Sequence, residues 1–178
     1  MYAVEMHGIT KQFKNVLANS NVELMVKRGE IDTIATDHCP FQQSEKDWGK
    51  DDFRKIPNGC AGVENMYPYM LSAANTGVIS FPRAVEICCF NPAKIFGCTQ
   101  KGSLAVGKDA DIVIYDPTKE FTIHQSNMHS DSDHTIWEGI ECHGYPVQTY
   151  SRGHLVYDNG EYVGERGWGK MVKRAARK

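Results

Sequence analysis

Apolar positions alternate, then recur at helical spacing, then alternate again along the 178 residues of the chain. At the start, Tyr2 to His7 alternates weakly and predicts a strand. Val22 to Lys27 predicts either a second strand or a short helix, because Val22, Met25 and Val26 share a face at spacings of three and four. Asn19-Ser20-Asn21 before it is turn chemistry or a helix cap. After Gly29, the small and β-branched run Ile31 to Thr36 predicts a buried strand, which Pro40 stops.

From Pro40 to Gly62 the sequence is polar, charged and rich in Gly and Pro. A loop longer than ~12–15 residues is commonly functional. Gly62 to Gly77 carries Val63, Met66, Met70, Leu71 and Ala74 at helical spacing and predicts a helix, with Pro68 in its first turns. Phe81 to Phe90 predicts a second helix, with Pro82 at its start. Asn91-Pro92 opens a shorter one, capped by Asn91 and ended by Gly97. After Lys101-Gly102 the period becomes that of strands: Asp111 to Tyr115, Pro146 to Tyr150, His154 to Tyr157 and Glu161 to Val163. Asp116-Pro117 is read as a turn, and Asp158-Asn159-Gly160 as the hairpin joining the last two strands. The whole is an α/β chain whose strand and helices give way to an all-β tail.

Composition narrows the function classes. At 41% hydrophobic the chain can bury one ordinary core or two small ones. A net charge of −2 gives no case for nucleic acid or an acidic membrane surface. No apolar run approaches the ~20 residues that cross a bilayer, and no signal peptide is read at the N-terminus. The six cysteines include no Cys-x-x-Cys pair, which suits neither a disulfide scaffold nor a structural zinc site and fits a reduced, cytoplasmic setting. The basic stretch from Lys170 to Lys178 reads as a frayed, solvated terminus.

The chemistry concentrates in Thr36-Asp37-His38-Cys39-Pro40-Phe41. A carboxylate at the end of a buried strand is where an α/β barrel keeps its catalytic groups, although a strand-end Asp also caps helices and forms turns. Asp37 is the candidate metal ligand and proton acceptor. His38, on the opposite face of an extended backbone, is a supporting or packing residue. Asn58, in Lys55-Ile56-Pro57-Asn58-Gly59, lies 21 positions after Asp37 in a type-II-like turn and is the second candidate. His124, His129 and His134 recur every five residues, which suits neither a helix face nor one side of a strand, and they are assigned to the surface or to an oligomer contact.

With these motifs the region from about Asp32 to Ala175 resembles the hydantoinase and dihydropyrimidinase family, zinc-dependent hydrolases of cyclic amides within the amidohydrolase superfamily. Lys101 to Asp116 looks like the segment where amidohydrolases return to a small β-sandwich. Trp137-Glu138-Gly139 and Arg152 to Val156 look like the hydantoinase branch. The resemblance implies the C-terminal part of a (β/α)8 TIM-like barrel, its last strand and helices, plus part of a flanking β-sandwich. It divides the chain into residues 32–100 of the barrel, 101–165 of the sandwich and a 166–178 tail. It further implies that Asp37 is the family's final metal ligand and general base in a binuclear zinc site. By the same resemblance, Asn58 holds a cyclic amide or imide through its main chain. Cys60-Ala61 departs from the family's Gly-Pro.

Residues 1–31 instead resemble the start of a sugar- or nucleoside-importer ABC ATPase, through Met6 to Phe13 and Lys27 to Ile31, but no G-x-x-x-x-G-K-[ST] loop follows. Two readings stand for this stretch: a fusion near Gly29 to Ile31, or a barrel's seventh helix over residues 16–28. The other metal ligands that the resemblance calls for lie outside this chain, so hydrolysis of the ring amide is expected of the family and not of the isolated chain. The alternatives are a remnant or non-catalytic module that associates with an intact hydantoinase subunit, or a homo-oligomer.

Overall fold

Two separate sheets bracket a run of short helices. The structure, a computed structural model, describes residues 2–13, 15–27 and 29–175. Strands β1 (Tyr2–Phe13) and β2 (Val16–Lys27) pair antiparallel, from Tyr2↔Lys27 to Phe13↔Val16. The register slips between Met6 and Ile9, where Gly8 has φ +60° and Asn21 opposite has φ +48°. Glu23 holds that bulge by accepting the Gly8 N–H at 2.8 Å and contacting His7 Nδ1 at 2.7 Å. Of the two readings at Val22 the strand is adopted, and the helix over 16–28 is not. Asn19-Ser20-Asn21 is poor helix material, and a facing strand satisfies the backbone without it.

The segment 31–36 joins no sheet, which corrects the buried strand expected there. A strand needs a neighbour to take its N–H and C=O groups, and no described residue runs beside this one. Side chains hold it instead. Arg83 Nη2 donates to Ile31 O at 2.7 Å, Asn91 Nδ2 donates to Asp32 O at 2.8 Å, and Thr33 Oγ1 donates to Ile87 O at 3.1 Å. Ile31 is left half exposed.

Helix α1 (Gln43–Lys46) and two 3-10 turns fold the long polar loop. Helix α2 (Met66–Asn75) places Pro68 third, where no intrahelical donor is required, and buries Leu71, Ser72 and Ala74. Ser80 caps helix α3 (Phe81–Val85), which continues as a π turn over Glu86–Phe90 into helix α4 (Asn91–Ile95). Asn91 is not the expected cap: it is already helical, and its amide is spent on Asp32.

Strands β3 (Ile112–Thr122), β4 (Glu141–Ser151), β5 (His154–Asp158) and β6 (Glu161–Tyr162) form one antiparallel sheet in that order. Asp116-Pro117 lies inside β3 rather than ending it. Asp116 Oδ1 accepts the Thr118 N–H at 2.8 Å, so the turn chemistry becomes a bulge between Asp116 and Glu120. The Asp158-Asn159-Gly160 hairpin has the expected left-handed pair, φ +49° at Asn159 and +108° at Gly160. Ile123 and Cys142 are fully buried beside Tyr145, Phe121 and Trp137, with the Phe121 and Tyr145 rings stacked at 4.1 Å. Helix α2 docks on β4 through Ser72 Oγ, which accepts the His143 N–H at 2.8 Å. Of the 170–178 stretch expected to fray, residues 170–175 are exposed, although the Ala175 N–H reaches Gly97 O at 2.8 Å, and 176–178 lie outside the described residues; just before it, Trp168 lies under Arg152 at 4.6 Å.

Candidate functional site

A short parallel bridge between His38 and Cys60 brings the two ends of the long loop together. Cys60 N donates to Asp37 O at 3.3 Å, and Cys39 N donates to Cys60 O at 3.2 Å. The bridge sets Asp37 directly against the Pro57-Asn58-Gly59 turn. The close approach depends on glycine, because a Cβ on Gly59 (φ +81°) would sit 2.2 Å from Asp37 O. Asp37 itself has φ +47°, a left-handed conformation uncommon for a side-chain-bearing residue. Such strain concentrates at functional sites, and surrounding contacts must hold it in place.

Three side chains supply that hold. His38 Nδ1 accepts the Gly62 N–H at 3.1 Å and the Val63 N–H at 3.3 Å, so the ring ties the bridge to the approach of α2. Lys46 Nζ donates to Pro57 O at 2.5 Å and also to Gly59 O, one carbonyl on each side of Asn58. Asp52 forks onto Arg54 at 2.8 and 2.9 Å, which lowers the Asp52 carboxyl to about 2 and shapes the turn before Ile56.

Asp37 and Asn58 are therefore neighbours, and both are exposed. For Asp37 this corrects the buried strand end expected from the sequence: with no strand beside 31–36, nothing encloses the carboxylate. His124, His129 and His134 do not converge. Each has its own carboxylate, Glu138 at 2.6 Å, Glu64 at 2.7 Å and Asp133 at 2.8 Å. Among the described residues no group of three or more His, Cys, Asp or Glu side chains could hold a metal ion. A catalytic zinc needs about three protein ligands, so the donor set of the described residues does not fit a metal centre by itself. None of the six cysteines is paired with another, and burial raises the Cys88 thiol to about 11.

Sequence reasoning missed Lys46, because its partners are main-chain carbonyls and nothing in the residue types of a turn 11 positions away announces them. It also missed the Glu64–His129 pair, in which Glu64 accepts the His129 N–H at 2.9 Å as well and its hydrogen bond raises the imidazole pKa. A carboxylate just before α2 and a histidine assigned to the surface or an oligomer contact were the available signal.

Comparison with known proteins adds the following. A family model described as "Amidohydrolase family" matches residues 14–156. The D-hydantoinase of Ralstonia pickettii is 42% identical over 151 residues, 84% of this chain and 33% of that protein. The D-hydantoinase of Rhizobium radiobacter is 40% identical over 167 residues, 93% of this chain and 35% of that protein. Among solved structures, the dihydropyrimidinase from Brevibacillus agri superposes with a TM-score of 0.78 at 41% identity, covering 84% of this chain and 34% of that one. The chain thus spans about a third of the length of the curated relatives it matches. The family match begins at residue 14, within the 1–31 stretch read as importer-ATPase-like, and that likeness is not confirmed.

Proposed function

Because the chain belongs to the amidohydrolase family, we propose that it is the C-terminal portion of a metal-dependent hydrolase that opens the ring amide of hydantoins or dihydropyrimidines. The reading places 32–100 at the end of a (β/α)8 barrel and 101–165 in a flanking β-sandwich. Asp37 supplies one carboxylate to the metal site, for which zinc is the proposed ion, and the Asn58 turn offers main-chain donor and acceptor to a cyclic amide. One observation carries the reading: the bridge that sets Asp37 O against Cys60 N at 3.3 Å joins the two motifs into one site. Their names make the relatives hydantoinases and a dihydropyrimidinase, which supports the substrate class.

The isolated chain does not catalyse this reaction on this reading, since a lone carboxylate cannot retain a catalytic zinc. Incubating the purified chain with zinc and dihydrouracil or a 5-substituted hydantoin should leave the ring intact, and ring opening would contradict the claim. A second reading is favoured by an open cavity of about 660 Å³ between α2 and the β3–β6 sheet, lined by Tyr67, Tyr145, Val156 and Tyr157. In it the chain is a non-catalytic module that docks on an intact hydantoinase subunit. Co-elution with such a subunit in size-exclusion chromatography would support this, and separate peaks would dismiss it.

A further inference from the structure

The geometry points to Lys46 as a positioning residue: its ammonium clasps the Pro57-Asn58-Gly59 turn from both sides and holds it ready for a cyclic amide. The inference rests on the reading of Asn58 as the substrate turn and extends it to a residue outside both motifs.

Lys46 ends α1, is half-buried, and lies over the Phe41 ring with Nζ 5.1 Å from its centroid. Its ammonium donates to Pro57 O and Gly59 O, the carbonyls flanking Asn58, and the Asn58 carbonyl is not among its partners. A turn held at both flanks by a charged donor loses the freedom that a free loop would give up only on binding. A lysine in the last turn of a helix is commonly explained by the helix dipole. Here the helix has four residues, and the ammonium is turned onto another segment.

The position of α1 is itself fixed from across the fold. Gln42 Nε2 donates to Asp131 O at 2.7 Å, Gln43 N donates to Asp133 Oδ1 at 2.9 Å, and the Asp133 N–H returns to Gln42 Oε1 at 3.0 Å. Ser132, buried, donates from Oγ to Phe41 O at 3.0 Å. A continuous path therefore runs from the loop before β4, through α1 and Lys46, to the Asn58 turn and on to Asp37. The links between segments are hydrogen bonds, and the backbone of α1 and the Gly59–Cys60 peptide carry the path between them.

The test uses the full chain, labelled for NMR. In the unmodified protein, Lys46 Nζ should show scalar coupling across its hydrogen bonds to the carbonyl carbons of Pro57 and Gly59, a signature independent of any variant. In Lys46→Met, the Cys60 amide, which donates to Asp37 O, should exchange about tenfold faster, as expected when the charge-assisted clasp on the turn beside it is lost, with Ile123 and Cys142 unchanged. Hydantoin should shift the Asn58 amide of the unmodified chain and bind Lys46→Met about tenfold more weakly. Absent coupling, or unchanged exchange at Cys60, overturns the clasp. A clasp seen without any hydantoin-induced shift upholds Lys46 and sinks the ligand reading, so the two failures are told apart.

Discussion

Gly59 and Asp37 meet at the point where the site is most sensitive to a single atom. Adding a methyl at Gly59 places it 2.2 Å from Asp37 O, whereas Gly107, also left-handed at φ +87°, has nothing within 4 Å. Gly59→Ala should therefore cost more in urea denaturation than Gly107→Ala, which should cost about 1 kcal/mol from backbone strain alone. Equal losses would show that the bridge does not constrain the turn. The Glu64–His129 pair makes a pH-dependent contribution. Its histidine is raised above 6.5 in the folded state, so the stabilisation is complete below 6.5 and fades as pH climbs through the higher folded value. Because the His129 side chain is 58% exposed, the effect should stay under about 1 kcal/mol. The melting-temperature gap between the unmodified chain and Glu64→Gln should narrow as pH rises from about 6 to about 8. A gap that widens instead would contradict the pairing. At this scale the motifs pointed to Asp37 and Asn58, which the structure makes neighbours, whereas nothing in the sequence pointed to Lys46, because it acts on carbonyls that every residue possesses.

Elements were legible where the chain itself supplies their partners. The Asp158-Asn159-Gly160 hairpin and the helix through Leu71 needed only local chemistry and one packing face, and both formed. The 31–36 segment has strand-like residues yet no strand, since β structure depends on a neighbour that sequence pattern does not reveal. Asp116-Pro117 was a turn signal absorbed as a bulge, because β4 continued alongside it. The β3–β4 region owes its order to one buried cluster. Ile123→Ala, at a position with 0% exposure, should lower stability by roughly 2–5 kcal/mol and alter the near-ultraviolet signal of Trp137 beside it. Val106→Ala, fully exposed, should change stability by less than about 0.5 kcal/mol. A small loss at Ile123 would mean that the sheet is held by something other than this cluster.

At the scale of the molecule, apolar surface is left without cover. Leu17, Ile31, Val78 and Phe96 are each at least half exposed, and the 660 Å³ cavity against the sheet is open and walled by tyrosines. Apolar side chains left in water and an open apolar cavity both favour association. The chain alone should accordingly self-associate with rising concentration in sedimentation velocity; a single monomeric species across the range would contradict this. The curated relatives it matches are about three times as long, since the chain covers roughly a third of each. The most direct measurement is a chimera in which this chain replaces the matching third of an intact D-hydantoinase. The account predicts that the chimera opens a 5-substituted hydantoin and that Asp37→Asn lowers its kcat about a hundredfold or more. A folded chimera whose Asp37→Asn form works as well as its parent would contradict it.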